Sequence, residues 1–492
     1  MSHLLSKSSY IRGCQCEKSL YLYRHHYEWK DKLSPEQKAI FSRGHKVGEL
    51  ARRLFPGGVD CSPIKFDYKN AIDKTINCIN SGVQVIYEAC FEYNQTLVLI
   101  DILVKAENKW YAYEVKSSTK ITTTYIQDAS LQYYVIKNIL PDLSDIFLVY
   151  INNQYIREDK VEIEKLFIIQ TVKRNALENW TSIEQNIHRL KGIVESETIP
   201  YKDIGTHCYA PYTCDFIGTC WKHIPSNSVF DLTEMSMNEK MSFYDKGLMY
   251  FSDLVKVNEL KPSHKIQIDT ALNNRPHTDV KALKEYLSDI HYPLFFLDVE
   301  AFMPAVPLFK RNKPYQHLPF LFSTHKKISK DATIEHIDFI AETGIDPRKQ
   351  FARALIEAHQ GAETILIYDA KMENQIINAL KNEFPELRDS LQTIQNKIKD
   401  LIIPFENKWY YTKNMKGSNS LKNVASSIDA EIDFGTLIVS HGTVALSQYE
   451  ELQTETDLLK ILETRDALRE YCKMDTWAMV KVYEKLLRVA GL

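Results

Sequence analysis

The chain has 492 residues, too many for one hydrophobic core at about 100 to 200 residues per domain, so two or three domains are expected. Apolar residues at 44% and charged residues at 25% are the proportions of an ordinary globular protein, which excludes a disordered, collagenous or membrane-embedded chain. A formal net charge of −3 excludes a global basic field, so any contact with nucleic acid must come from a local groove.

The opening MSHLLSKSSYIRG lacks the apolar core of a signal peptide, and the longest apolar run is broken by Asp101, so a cytosolic protein without a membrane segment is expected. Nine cysteines are too few for a disulfide scaffold in a chain of this length. Cys61, Cys78, Cys90 and Cys472 are scattered and read as buried structural thiols. The others are grouped, Cys14 and Cys16 near the start and Cys208, Cys214 and Cys220 in HCYAPYTCDFIGTCW, and in a reducing cytosol grouped thiols point to a metal centre.

In chain order, Ser34-Pro35-Glu36-Gln37 is a helix start, with Ser as N-cap, Pro in the first turn and Gln three residues after the cap. That helix runs to about Leu54, where Phe55-Pro56-Gly57-Gly58 stops it. Strand-like runs at 83–91, 96–104 and 109–116 are separated by Asn/Gln and Glu/Asn turn residues and predict an antiparallel meander. A helix at 126–139, strands at 145–151 and 165–172 and a polar helix at about 174–194 complete an α/β domain over 1–225. Residues 226–289 are charged and helical in pattern, a connector. A second α/β core over 290–492 opens with an apolar strand at 291–300. Strands at 319–327, 334–340 and 363–369 follow, with a helix at 348–360 among them and further helices to the end.

Two acidic constellations carry chemistry. Glu114 and Lys116 in WYAYEVKSS are two apart on a strand and share a face, where Asp101 of the neighbouring LVLIDILV can meet them. Hydrolysis of a phosphodiester near neutral pH needs a metal to generate hydroxide and neutralise phosphate charge, and hard Mg²⁺ or Mn²⁺ requires carboxylates. Glu-x-Lys alone is a common surface pair, but a carboxylate interrupting a buried run needs a cation. Lys116 would orient or help deprotonate water, or stabilise the phosphate. With these residues the chain, over roughly 10 to 225, resembles the RecB-like branch of PD-(D/E)XK nucleases. The resemblance implies His45 of RGHKVG as a further metal ligand and Gln132 on the following helix, although Ile136 stands where the family's Gln-x-x-x-Tyr motif has tyrosine, with Tyr133 or Tyr134 stacking on a base as the alternative; Glu88 either assists the site or simply ends a strand pair.

The cysteine arrangement resembles that of RecB-like nucleases in which one N-terminal and three C-terminal thiolates bind a [4Fe–4S] cluster around the nuclease core. By that resemblance Cys16, just before a helix starting at Glu17, joins Cys208, Cys214 and Cys220, with Cys14 the rival for the first place. Both C-terminal gaps hold five residues, where the family's first gap is short, so zinc stays open, although short C-x-x-C pairs are missing. His207 and Trp221 are expected to pack around the site.

Asp298-x-Glu300 ends the strand LFFLDVE with two carboxylates on one face. Glu373, Asp400 and Tyr471-x-x-x-Asp475 follow, the last two four apart on a helix and so on one side of it. This order resembles DEDD exonucleases of the RNase H-like fold, with Glu373 standing where an Asp is usual. The resemblance implies two Mg²⁺ ions held by the carboxylates and substrate contacts from Ser420 and Lys422. HCYAPYTCDF, FFLDVEAF and YCKMDTWAM together resemble an uncharacterised bacterial family, domain of unknown function 2779. The expectation is a metal-dependent nuclease acting on nucleic acid, DNA rather than RNA by the RecB-like analogy. A nucleic-acid-binding scaffold with decayed sites is the rival from another class, and hydrolysis of a small nucleotide is a third possibility.

Overall fold

The computed structural model describes residues 4–429, 432, 434–436 and 442–492. The chain divides into two compact units, Met1–His223 with Pro304–Tyr315, and Ile224–Met303 with Gln316–Leu492. Both are mixed α/β.

The first unit is a mixed sheet with helices on both faces. Helix α1 (Lys7–Gln15) leads through Cys16 into α2 (Glu17–His25), and α3 (Pro35–Ala51) starts from the expected capping box, Ser34 with Gln37. Helix α4 (Tyr68–Asn80) precedes the meander β1 (Val85–Tyr93), β2 (Thr96–Ala106) and β3 (Lys109–Lys116). Its two hairpin turns place Asn94 and Gln95 at φ 49 and 57, and Glu107 and Asn108 at φ 50 and 59. Two consecutive residues with positive φ make the turn whose twist matches that of paired strands. Helix α5 (Thr123–Ile139) then crosses to β4 (Leu143–Ile151), parallel to β3, and β5 (Phe167–Thr171) closes the edge.

The polar helix expected at 174–194 is two helices, Lys173–Glu178 and α6 (Trp180–Glu195), broken at Asn179, whose amide turns inward to Ser130 Oγ at 3.1 Å. One sheet face is covered by α5 and α6, with Val98, Ile100 and Leu148 packed among Leu131, Ile183 and Ile187. Helix α1 fits tightly here, because a Cβ on Gly13 would lie within 2.9 Å of Leu20 and Leu190. The other face carries Val47 and Ala51 of α3 together with Ala305, Val306 and Tyr315 from the returning excursion.

The second unit includes the helices Met237–Asp245, Pro262–Asn273 and Val280–Ser288, so the connector expected at 226–289 is part of a domain. Its sheet runs β8 (Glu335–Ile340), β7 (Leu318–Lys327), β6 (Leu294–Phe302), β9 (Thr364–Ile367), β10 (Ile398–Asp400). The first three are antiparallel and the last two parallel to β6. Helices α7 (Arg348–Ala358) and α8 (Lys371–Glu383) pack on Phe295, Leu297 and Val299. The alternate residues Leu294 and Phe296 meet α11 (Leu458–Ala490), the last helix after α9 (Leu421–Ile428) and α10 (Gly442–Leu452). Strand period two therefore delivers the next two residues of that series, Asp298 and Glu300, to the α11 side. Among the described residues no helix is long and apolar enough to cross a membrane.

Candidate functional site

In the first unit Asp101 on β2 and Glu114 and Lys116 on β3 come together as the spacing requires, and two unforeseen groups join them. Lys7, at the start of α1, and Lys116 each place Nζ 2.7 Å from Glu114 Oε1. Lys116 also lies 2.5 Å from Asp128 Oδ2, and Gln132, four residues on along α5, donates to Glu114 Oε2 at 2.8 Å. Burial alone would raise the Glu114 carboxyl, but the two ammonium groups outweigh it and hold it well below the usual range. Burial works against the Lys116 ammonium as well, yet Glu114 and Asp128 leave it well above its ordinary value, a permanent cation. Asp101 accepts from the Val115 amide at 2.6 Å, and burial, with Glu114 beside it, raises its carboxyl well above normal.

Glu88 stands in β1 with φ 50, a left-handed residue in the middle of a strand, costing about 1–2 kcal/mol and typical of functional positions. Its carboxyl is raised by burial despite Arg52, and it feels the Glu114 charge. His45 is exposed on α3 and joins no group of three potential metal ligands among the described residues. Tyr133 and Tyr134 are buried in the core beneath the sheet, so neither offers a ring to a base.

All four expected thiols line one cavity, Cys16, Cys208, Cys214 and Cys220 together, with Ile204, Phe216 and Ile217 as its apolar wall. Cys14 lines a different, polar cavity with Tyr10 and Asn186. The chain explains the choice, because Cys16 is the extended residue between α1 and α2 whereas Cys14 lies within α1. None of the four is in a disulfide. Burial raises the Cys16 and Cys220 thiols, and each feels Cys214 and Cys208. His207 lines the cavity with Nε2 3.8 Å from Cys208 Sγ, whereas Trp221 packs edge-on against Tyr209.

In the second unit Asp298, Glu300 and Asp475 offer ligand atoms that all lie within 4.8 Å of one another, the one such acidic, histidine or cysteine group among the described residues. Burial and then the neighbouring carboxylates, Asp298 and Asp475, raise Glu300 well above its ordinary value, and Asp475 is raised by burial and Asp298. Glu373, in the first turn of α8, is pushed up to about 8, first by burial and then by Asp298. Its Oε2 is buried without a hydrogen-bond partner. Tyr471 donates to Asp475, and Lys422 of α9 lies 5.1 Å from the Tyr471 ring. Ser420 is the N-cap of α9.

Asp400 stands apart from this group. Its carboxylate accepts from the Asp369, Ala370 and Ile402 amides at 2.9, 2.9 and 3.1 Å, pinning the start of α8. Two contributors had no clear signal in the sequence: Cys472, whose Sγ donates to Asp298 Oδ2 at 3.1 Å, and Gly442, where a Cβ would sit 3.7 Å from the Tyr471 hydroxyl and 3.9 Å from Glu300 Oε1. Burial raises all four carboxyls, mutual repulsion adds to the rise at Glu300, Glu373 and Asp475, and a crowded, buried acidic group of this kind suits a divalent cation, whose charge offsets both effects.

Residues 295–420 match a family model described as a domain of unknown function, DUF2779. The match takes in Asp298, Glu300 and Glu373 and ends before α11, which carries Tyr471 and Asp475. No curated protein matches the chain.

Proposed function

We propose that this is a cytosolic metal-dependent nuclease that hydrolyses phosphodiester bonds in nucleic acid, DNA in preference to RNA, and that its four grouped thiols hold an iron–sulfur cluster as a staple. The observation that carries the hydrolase reading is the convergence of Asp298, Glu300 and Asp475 on one buried point, with the unpartnered Glu373 carboxyl beside them. Bound there, Mg²⁺ or Mn²⁺ supplies Lewis acidity toward water and phosphate oxygens.

The chain's own groups do the positioning. The Tyr471 hydroxyl, held far above its usual pKa by burial and then by Asp475, stays protonated and orients the Asp475 carboxylate by donating to it. Gly442 keeps side-chain atoms out of the space before Glu300 and Tyr471. At the first site Asp101 and Glu114 would be the carboxylates for a cation, and Lys116, 2.7 Å from Glu114 Oε1, is placed to orient water or to stabilise negative charge on the phosphate.

The thiols fit a cluster better than zinc. With Zn–S bonds of about 2.3 Å, neighbouring sulfurs in a closed tetrahedral site lie about 3.8 Å apart. No three cysteines among the described residues bring their sulfurs within 4.8 Å of one another, yet four line one cavity. Cys16, Cys208, Cys214 and Cys220 would hold the cluster, which ties the segment at α1 and α2 to the one at 208–220 and takes no part in hydrolysis.

A nucleic-acid-binding scaffold is the second reading, favoured at the first site alone because both Glu114 oxygens already have partners there. The test is Mn²⁺-dependent cleavage of end-labelled DNA and RNA, single- and double-stranded, by anaerobically purified protein and its Glu114→Ala and Asp298→Ala variants. Loss in Asp298→Ala assigns catalysis to the second unit and loss in Glu114→Ala to the first. A wild type that cleaves nothing with either metal refutes the nuclease reading.

A further inference from the structure

We propose that Lys7 is a second catalytic lysine of the first carboxylate site, delivered by the helix whose other end reaches the thiol cavity; this rests on the nuclease reading of that site. Lys7 and Lys116 place their ammonium groups at 2.7 Å from the same oxygen, Glu114 Oε1, and both also pair with Asp128, Lys7 at 3.6 Å. One lysine together with Gln132 would satisfy Glu114. Lys7 is held there against the repulsion of Lys116 by Asp128 and Glu114 together, so a change in the partners of Glu114 alters the hold on its ammonium.

The two lysines differ in what they face. The Lys7 side chain is 27% exposed against 17% for Lys116, and Lys7, unlike Lys116, lines an open groove with Asp128, Tyr23, Phe41 and Tyr212. An incoming phosphodiester in that groove meets Lys7 first. Phe41 and Tyr212, both exposed, offer rings to the bases of a single strand, each stacked base contributing about 1–3 kcal/mol, whereas the Tyr23 ring already carries the Arg12 guanidinium at 4.5 Å.

The backbone that carries Lys7 is held at both ends: Leu5 and Ser6, just before it, pair with Thr96 and Leu97 of β2. Helix α1 spans nine residues, about 14 Å. Arg12 in its last turn bonds Asp215 at 2.6 Å, and Cys16, directly after it, enters the cavity shared with Cys214. With a divalent cation held by Asp101 and Glu114, the Lys7 ammonium would exchange Glu114 Oε1 for a non-bridging oxygen of the scissile phosphate. It remains an ammonium throughout and stabilises the charge that develops on the phosphate.

Lys7→Met keeps most of the stem and removes the charge. In full-length, anaerobically purified Asp298→Ala protein with Mn²⁺, where only the first site can act, adding Lys7→Met lowers kcat on single-stranded DNA at least about 100-fold while KM changes less than about threefold. Calorimetry in an Asp298→Ala background shows Mn²⁺ binding the first site at least about threefold more tightly in Lys7→Met, because the competing ammonium is gone. Lys7→Arg in the same background recovers at least about a tenth of the kcat measured with Lys7. A kcat unchanged by Lys7→Met in that background overturns the proposal and leaves the nuclease reading standing, whereas Asp298→Ala protein that cleaves nothing overturns the nuclease reading of the first site together with the proposal. A lower kcat with unaltered Mn²⁺ affinity and reduced iron content also overturns it, as the signature of a mere brace for α1.

Discussion

Replacing Glu373 by glutamine should make the metal-free protein more stable, and increasingly so as the pH rises. The carboxyl is 4% exposed, and its folded-state pKa is raised from 4.5 to about 8. A raised carboxyl pKa means that the folded state keeps a proton the unfolded chain has lost, so this group's stabilising contribution is complete below about pH 4.5 and is lost as pH climbs through about 8. At about 1.4 kcal/mol per pH unit, the interval from pH 5 to 8 removes about 4 kcal/mol. Glutamine is neutral throughout and loses nothing over that interval.

For a unit of this size, about 2–4 °C per kcal/mol gives a Tm difference between variant and wild type that widens by about 8 °C or more. Thermal unfolding in EDTA at pH 5, 6, 7 and 8 measures it directly, and added Mn²⁺ should restore the wild type more than the variant. Parallel Tm curves for the two proteins across that range would refute the crowding on which the second site is built.

Three further outcomes test other parts of the fold. Cys16→Ser should lower bound iron and the visible absorbance of anaerobically purified protein, while Cys14→Ser, in a separate cavity, leaves both unchanged. Asp400→Ala strips three backbone amides of their acceptor and should cost about 2–4 kcal/mol in thermal unfolding, with Mn²⁺ affinity at the Asp298 site little altered. Gly417→Ala should cost about 2–4 kcal/mol, because φ is 76° and the added Cβ would fall 2.5 Å from the Asp231 carbonyl; urea denaturation measures the loss.

What the sequence makes legible follows from local rules. The box at Ser34 and Gln37 and the turn pairs Asn94-Gln95 and Glu107-Asn108 are short-range features, and the structure contains them. Glu114 with Lys116, Asp298 with Glu300, and Tyr471 with Asp475 are pairs whose common side is set by strand or helix period alone. Lys7 is illegible for the opposite reason: 107 residues separate it from Glu114, and only packing of α1 brings the two together. Asp128 carried a faint signal, four residues before Gln132 on the same helix. Asp400 shows the limit of ordering motifs along a chain, since its place in sequence says nothing about the three amides that occupy its oxygens. Tyr133 and Tyr134 are likewise aromatic by sequence but become core, because α5 lies against the sheet.

The discontinuity of the first unit bears on how the protein comes off the ribosome. Ala305, Val306 and Tyr315 pack with Tyr87, Ile102 and Val149, and Arg157 donates to the Pro307 carbonyl at 2.9 Å. Those partners are synthesised more than a hundred residues earlier, at about 5–20 residues per second. One face of the first sheet therefore waits several seconds for its last layer while the chain through β6 is still being made. A stop codon placed after residue 223 would leave Tyr87, Ile102 and Val149 without that layer, so the N-terminal piece expressed alone should aggregate more readily than its share of the sequence suggests.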